Sequence, residues 1–398
     1  MTQSLLTRRD LLKGSALIVG FTWAGLVPSF ATKSVAPDEV DAFLAIDESG
    51  MVTVFSGKVD LGTGVRTALT QIVAEELDLP MERVNVIEGD TELTPDQGPT
   101  YGSLSIQNGG MQLRQAAATL KAALAQGGGK GVALKLDKNA PTKNPADFKL
   151  VGKSVARLDI PAKIAGQFTY MQDVRVPGMV HGRVVRPPAI GARLEHVDES
   201  SVSARVVREG NFLGVVADTE WNAIKAMRQI KATWSAAALL PEQAKLWEYV
   251  RGTVVAKDDV TSTVGDAPSG LAQGARTLKA TYDFTIHTHG SIGPSCAIAE
   301  FKDGKLTCWT ASQATHNLRK QLAAMLKIPD ADVRAIYVEG AGCYGRNGHE
   351  DAAADAALLA RAVGQPVRVQ WMREDEHGWD PKGPPTLIDL EAALDPSG

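Results

Sequence analysis

The chain has 398 residues, 44% of them hydrophobic and 22% charged, with a formal net charge of −4. That length holds two or three domains, that apolar share excludes a disordered chain, and the lack of basic excess excludes a nucleic-acid binder. Its 3 cysteines, Cys296, Cys308 and Cys343, include no C-x-x-C pair. A disulfide scaffold, a structural zinc and a thiolate-held iron–sulfur cluster are therefore not built from this chain, and any redox metal is held by something other than its thiolates.

Residues 1–31 read as an address. Arg8 and Arg9 precede an uncharged run of small and apolar residues from Gly14 to Val27, followed by the small-x-small string Ser29-Phe30-Ala31. The run is short for a bilayer span, and paired arginines before it are the signature of a cleavable twin-arginine signal for export to the periplasm. That route carries proteins already folded, so a cofactor inserted before export is expected.

Segment 41–126 alternates strand, loop and helix. Residues 52–55 and 84–87 repeat with period two, whereas 68–77 and 111–125 have helical spacing. The Gly-, Lys- and Pro-rich stretch 127–150 predicts an exposed connector. From 151 to 275, apolar runs alternate with breaks such as Val176-Pro177-Gly178 and Arg186-Pro187-Pro188 around a helix at 220–230, which predicts an α+β module. Segment 280–398 opens with a hairpin turned at Asp303-Gly304. It continues with a helix at 317–326, a strand at 333–338, a Gly-rich loop at 340–348, a helix at 351–363 and a strand at 367–371. Residues 387–398 read as a strand entering a Pro-Ser-Gly turn with no partner strand after it, a sticky edge.

Three junctions carry glycine and small polar residues. Gly62-Thr63-Gly64 precedes a helix whose free N-terminal amides and dipole suit a phosphate. The 98–105 loop brings the hydroxyls of Thr100, Ser103 and Ser105 to a second helix start. Gly340-Ala341-Gly342-Cys343-Tyr344-Gly345 satisfies G-x-G-x-x-G after a strand, but Asn347-Gly348 delays the helix and too few residues follow for a Rossmann domain. Each loop alone is an ordinary structural turn; together they suit an elongated polyanion.

In order and content these residues resemble the molybdenum-cofactor subunit of the xanthine dehydrogenase/aldehyde oxidase family, in the periplasmic branch of isoquinoline oxidoreductases and nicotinate dehydrogenases. Residues 151–188 are similar to the start of the family's α/β-hammerhead domain, and 287–301, 306–323 and 339–375 resemble its first molybdopterin-binding domain. Residues 57–80 and 98–110 are similar to a further molybdopterin-binding segment. The resemblance implies an α+β fold with a hammerhead domain at 151–275 and a first molybdopterin-binding domain at 280–398. It also implies a molybdenum–molybdopterin cofactor in its cytosine dinucleotide form.

Carried over position by position, Gln313 resembles the family's glutamine beside the metal, where a carboxamide donates and accepts hydrogen bonds without adding charge. Gly342, Cys343, Tyr344 and Gly345 stand where the family has a Gly-Gly-Phe-Gly loop, with cysteine in place of the second glycine. Gly62, Thr63 and Gly64 match a Gly-Gln-Gly turn, and Gly102, Ser103 and Ser105 match residues that hold the dinucleotide end. The family's Glu-Pro is Gly293-Pro294 here, so no carboxylate role is assigned. His287 and His289 form a His-x-His string, either a metal pair or packed pocket residues, and the family context favours packing. Tyr170, Trp309 and Tyr344 are candidates for lining a substrate pocket or for ordinary core positions.

The family's glutamate general base, in a Gly-Glu-Pro string of its second molybdopterin domain, has no counterpart. The resemblance therefore implies an N-terminal half, with no catalytic residue of its own and no activity alone. Its implied partners are the C-terminal half, a small 2Fe-2S subunit and a c-type cytochrome. The implied reaction is oxidation of an aldehyde or N-heteroaromatic substrate with water as the oxygen source. Two other readings stay open: an exported, non-catalytic binder of a pterin nucleotide or partner, and an NAD-linked oxidoreductase.

Overall fold

The computed structural model describes residues 38–47, 49–126, 134–237, 240–345 and 351–398. The expected export signal, the start of the connector and Asn347-Gly348 lie outside them. Among the described residues no helix is long and apolar enough to cross a membrane.

The N-terminal unit joins β1 (Leu44–Ile46), β2 (Val52–Ser56), α1 (Val65–Leu77), β3 (Val84–Glu88) and α2 (Met111–Ala125). Its three-stranded sheet runs β1-β2-β3, antiparallel then parallel, with α1 as the crossover. Leu69 and Val73 of α1 and Leu113, Ala116 and Ala117 of α2 bury against Val52 and Val54. The period-two and period-3.6 patterns thus each find the face they anticipate.

The described part of the connector expected at 127–150 is mostly exposed but is anchored to the N-terminal unit. Leu134, Leu136 and Leu150 join the core of this unit, and Val40 N–H donates to the Leu134 carbonyl at 2.8 Å. Two buried α1 carboxylates are the cause. Glu75 accepts the N–H groups of Lys149, Leu150 and Val151 at 2.9, 2.5 and 2.9 Å and pairs with Lys143 at 2.6 Å, and Glu76 accepts Lys143 N–H at 2.6 Å. The anchoring of Lys143 has no local signal because its carboxylate partner lies about seventy positions earlier.

Short helix α3 (Ile160–Ile164) leads into β4 (Val180–Val184), β5 (Leu194–Asp198), β6 (Arg205–Glu209), β7 (Phe212–Ala217), α4 (Glu220–Gln229) and β8 (Lys231–Trp234). The Thr219 side chain caps α4 by accepting the Asn222 N–H at 3.2 Å. Two small helices, α5 (Leu246–Gly252) and α6 (Ala267–Gln273), precede β9 (Arg276–Phe284). Then follow β10 (Cys296–Lys302), β11 (Lys305–Thr310), α7 (Thr315–Leu326), β12 (Val333–Tyr337), α8 (Asp351–Val363), β13 (Val367–Gln370), α9 (Arg373–Trp379) and β14 (Thr386–Leu394).

One mixed sheet of seven strands, in the order β12-β11-β10-β13-β4-β7-β6, organises this part. β10 and β11 form the hairpin expected at Asp303-Gly304, both of which take positive φ. Strands from both sides of the expected boundary at 275–280 share the sheet, since β4 pairs in parallel with β13. Their side chains share one core, in which Val180, Val207 and Val216 meet Ala297, Leu306 and Val367. Ala352, Ala353, Ala356, Ala357 and Ala360 form the buried stripe of α8 in that core.

Residues 89–91 run on from β3 along the outer edge of β12. Tyr337 N–H donates to the Gly89 carbonyl at 3.1 Å, Thr91 N–H to the Ala335 carbonyl at 3.0 Å, and Asp90 bridges Ile336. Arg334 locks this junction, bidentate to Asp90 at 3.1 and 2.6 Å and 3.1 Å from Glu92. The strand near the end of the sequence, expected to lack a partner, has one upstream: β14 pairs along its whole length with β9 in an antiparallel ribbon. A pairing across more than a hundred positions leaves no local trace.

Candidate functional site

Two loops far apart in sequence meet at Gln313, in the turn between β11 and α7, and a third is tied to one of them. This residue is 2% exposed. Its carboxamide donates to the Thr100 carbonyl at 2.8 Å and accepts from the Cys343 thiol, with 3.0 Å between Sγ and Oε1. Its backbone carbonyl accepts Thr100 N–H at 2.8 Å. Thr100 Oγ1 in turn accepts Val59 N–H at 3.1 Å, and the Lys58 ammonium donates to the Pro99 carbonyl at 2.8 Å. The Gln313 amide side chain therefore joins the 98–105 and 340–345 loops, and Thr100 and Lys58 tie the 57–64 loop to the 98–105 loop.

At the Gly62-Thr63-Gly64 turn the amides are not free, contrary to expectation. Asp60 Oδ1 accepts the N–H groups of Gly62 and Gly64 at 2.9 and 3.0 Å, and Oδ2 accepts that of Arg66 at 3.0 Å. A resident carboxylate thus fills the anion position at the start of α1. Gly62 and Gly64 keep φ of 92° and 84°, and Thr63 is the exposed polar side chain between them. The spacing Asp60-Leu61-Gly62 is an Asx-turn signal that would have revealed this cap in the sequence.

Charged groups are packed beneath the turn. Arg66 contacts Glu88 at 2.9 and 2.6 Å, and burial pushes the Glu88 carboxyl up to about 7 against the pull of that guanidinium. Arg157 donates to the Gly62 carbonyl at 3.0 Å, and its pairing with Asp159 holds that carboxyl well below the usual range. Lys163 of α3 lies 2.7 Å from Asp159 and 2.6 Å from Glu339, whose carboxyl burial pushes up. Tyr337 donates to the Asp60 carbonyl. None of Glu88, Arg157, Lys163 and Glu339 stands out in the sequence, because their role rests on mutual proximity.

The 340–345 loop resolves the oddity of a cysteine where the family has glycine. Left-handed φ falls at Gly342 (124°), Tyr344 (52°) and Gly345 (85°), and Cys343 is absent from the positive-φ residues. The cysteine points inward to Gln313, while Tyr344 is 60% exposed. Gly293 N–H donates to the Ala341 carbonyl at 3.1 Å, which lays the 291–294 segment beside this loop. A β-carbon at Gly293 would come within 2.6 Å of Ala341 Cβ, so a glutamate does not fit there as the chain lies. In the second loop Gly102 and Ser103 are exposed with φ of 67° and 57°, whereas Ser105 is buried in the π-turn leading into α2.

The remaining candidates do not gather here. His287 is exposed and its backbone bridges Gly383, whereas the His289 side chain is buried 3.2 Å from Asp380 and 3.8 Å from Glu376 of α9. The two histidines thus face different partners and make no common metal pair. His289, Glu376 and Asp380 form a compact cluster that no sequence spacing announces, with the Lys382 ammonium against Asp380. Trp309 packs on Met171, Cys296 and Ile298, and the Tyr170 ring lies tilted against Phe168 with centroids 4.8 Å apart, so of the three aromatics only Tyr344 faces outward from these loops. A cleft of about 390 Å³ between β4, β6, β7 and α4 contains none of the loop residues.

A pterin dinucleotide is polar, anionic and rich in hydrogen-bonding edges, and the convergence fits such a group. Ser291 Oγ, against Gly342, and Thr315 Oγ1, at the start of α7, are buried without a hydrogen-bond partner among the described residues. Buried hydroxyls left unpaired are costly, and a ligand's polar edge satisfies them. Among the described residues nothing lies within 4 Å of a β-carbon built at Gly345.

Comparison with known proteins agrees with this geometry. Residues 5–168 and 250–398 each match a molybdopterin cofactor-binding domain. The chain is 39% identical to a nicotinate dehydrogenase subunit of Pseudomonas putida, over 94% of this chain and 36% of that protein. It is 24% identical to the beta subunit of isoquinoline 1-oxidoreductase from Brevundimonas diminuta, over 98% of this chain and 62% of that protein. It thus spans less than two thirds of the length of these relatives. Among solved structures, the aldehyde oxidoreductase of Desulfovibrio gigas shares the fold at a TM-score of 0.53 and 16% identity, over 77% of this chain and 38% of that one. Two cofactor-domain matches, with a relative aligned along nearly the whole chain, place it in the xanthine dehydrogenase family of molybdopterin-binding subunits.

Proposed function

We propose that this chain forms one wall of the cofactor site in a periplasmic molybdenum hydroxylase that oxidises an aldehyde or an N-heteroaromatic compound with water as the oxygen source. The observation that carries the reading is the linking of the 340–345 and 98–105 loops by Gln313 and of the 98–105 and 57–64 loops by Thr100. When bound, the cofactor supplies a metal centre that accepts two electrons. Gly342, Cys343, Tyr344 and Gly345 hold its pterin side, with Ser291 as a further donor. Gly102, Ser103 and Ser105 hold a cytosine dinucleotide end, and Gly62, Thr63 and Gly64 close the wall, with Thr63 as the polar contact because Asp60 occupies the turn amides. Gln313 acts as a positioning residue, keeping the loops in register and adding no charge.

The proton-abstracting glutamate belongs to the C-terminal half of the subunit, so this chain alone binds and orients without turning over. Residues 151–275 serve as the hammerhead domain, and electrons leave through a small 2Fe-2S subunit to a c-type cytochrome. The relatives named as nicotinate dehydrogenase and isoquinoline oxidoreductase subunits support both the substrate class and a multi-subunit assembly.

Metal, pterin, phosphate and nucleotide analysis of the assembly purified from the periplasm tests this reading. About one molybdenum and one cytosine nucleotide per chain are expected by the one-site stoichiometry. Metal-free protein with pterin nucleotide bound would favour a non-catalytic binder, and released NAD would favour the dinucleotide reading. Replacing Arg8 and Arg9 by lysine should retain the protein in the cytoplasm, and continued export would overturn the localisation.

A further inference from the structure

Beneath the Gly62-Thr63-Gly64 turn the buried charges do not balance. Four carboxylates, Asp60, Glu88, Asp159 and Glu339, are 1–7% exposed. Three cations face them: Arg66 of α1, Arg157, and Lys163 of α3. With every group in its ordinary charge state the cluster carries one uncompensated negative charge away from water, which is costly.

The hydrogen bonds locate that excess. Both oxygens of Asp60 accept backbone amides, and both oxygens of Asp159 accept from Arg157, with Lys163 on one of them. Glu88 uses only Oε2, on Arg66, and Glu339 only Oε1, on Lys163. Glu88 Oε1 and Glu339 Oε2 are buried without a hydrogen-bond partner among the described residues. A bare carboxylate oxygen is the most expensive group to leave there, and a proton on either one neutralises the excess. Burial pushes the Glu88 carboxyl up to about 7 and the Glu339 carboxyl upward, and the Asp60 charge raises both. Tyr337 of β12, the remaining titratable group against Asp60, is pushed well above its ordinary value by burial and stays protonated.

The cluster also adjoins the loop wall. Glu339 directly precedes the 340–345 loop, and its Oε1 lies 3.8 Å from a β-carbon built at Gly62. It therefore stands between two of the loops proposed to hold the cofactor. We propose that Glu88 and Glu339 share one retained proton, and that this proton is linked to an anionic group held by the loops above them. A bound anion favours keeping the proton, and losing the proton as pH rises weakens the hold on the anion, because repulsion between buried charges is poorly screened and linkage is reciprocal. Water supplies and takes back the proton, and no electron moves. The identity of the anion rests on the proposed function, whereas the proton is read from the charges and the unpaired oxygens.

Infrared spectroscopy of the full chain tests the proton. The parent is expected to show a carboxylic-acid carbonyl band that fades as pH rises through about 7. Glu88→Gln and Glu339→Gln should each abolish that titrating band, because either replacement balances the cluster without a proton. A parent without the band, or a band that survives either replacement, would overturn the proposal. Retention of molybdenum and pterin by the purified assembly during dialysis tests the linkage. The parent should lose them faster as pH rises from about 6 to about 8, by at most about tenfold per pH unit, the limit for one proton. Glu339→Gln mimics the protonated acid and should flatten that dependence, whereas a uniform loss at every pH would mark a merely structural residue and overturn the linkage. An assembly without molybdenum or pterin sinks the proposed function and the linkage with it, and the infrared titration still decides the proton. A loaded assembly without the titrating band sinks the proton alone.

Discussion

The Cys343 thiol donates to the Gln313 carboxamide across a 3.0 Å contact inside the protein, while the other end of the same carboxamide holds the Thr100 carbonyl at 2.8 Å. One side chain thereby bonds two loops that approach from opposite sides of the sequence.

Removing that link should be felt in stability and in loop order together. Gln313→Ala leaves the Thr100 carbonyl and the Cys343 thiol without this partner, a loss of about 2–3 kcal/mol. Urea denaturation reads the loss, and maleimide labelling of Cys343, now 5% exposed, should accelerate. An unchanged labelling rate would mean that the loops hold together without the amide.

Asp60 accepts three amides at the start of α1, so its removal leaves donors unpaired beside a buried ion-pair network. Asp60→Ala should cost roughly 2–3 kcal/mol, with Asp60→Asn recovering part of it. Equal losses for the two variants, measured by chemical denaturation, would argue that the negative charge alone matters.

Glu75 and Glu88 should drive stability in opposite directions with pH. Burial acts to raise Glu75, but Lys143 and three backbone amides outweigh it and hold the carboxyl at about 2, below its ordinary 4.5. Its contribution is therefore present above pH 4.5 and lost as pH falls toward 2, and Glu75→Gln should cost about 3 kcal/mol at pH 7 and little near pH 2. Glu88 is pushed from 4.5 up to about 7, so the folded state keeps a proton that the unfolded chain releases. That contribution is present below pH 4.5 and lost as pH rises to about 7. Urea midpoints between pH 4 and 8 should fall less steeply with pH in Glu88→Gln than in the parent, and identical slopes would refute the assignment.

Arg334 is nearly buried between Asp90 and Glu92 at the seam where residues 89–91 lie along β12. Arg334→Met strands two carboxylates there and should cost about 3–5 kcal/mol. The N-terminal unit should then be released faster in limited proteolysis, and Arg334→Met combined with Asp90→Leu should restore much of the loss. Unaltered proteolysis would show that the backbone bonds at 89–91 suffice.

Local elements were largely legible. The helix expected at 111–125 is α2, the helix expected at 351–363 is α8, and the Asp303-Gly304 hairpin stands as expected, because side-chain period and turn chemistry act within a few residues. Long-range pairings were not. The 134–150 stretch was hidden by the carboxylates of Glu75 and Glu76, and the partner of β14 by its distance in sequence. In the site, the three loops and Gln313 stood out as residues, but the filling of the Gly62-Thr63-Gly64 turn by Asp60 did not, nor did the separation of His287 from His289.

By itself the sequence determined the strands, helices and turns, and through its motif order the family, since these depend on residue type at short spacing. Only the tertiary structure decided that the 57–64, 98–105 and 340–345 loops are linked through Thr100 and Gln313, that segments 151–275 and 280–398 share one sheet, and that β14 finds its partner in β9. Those outcomes rest on contacts such as Gln313 with Thr100, 213 positions apart, whose energy comes from burial and mutual pairing and is written in no local pattern.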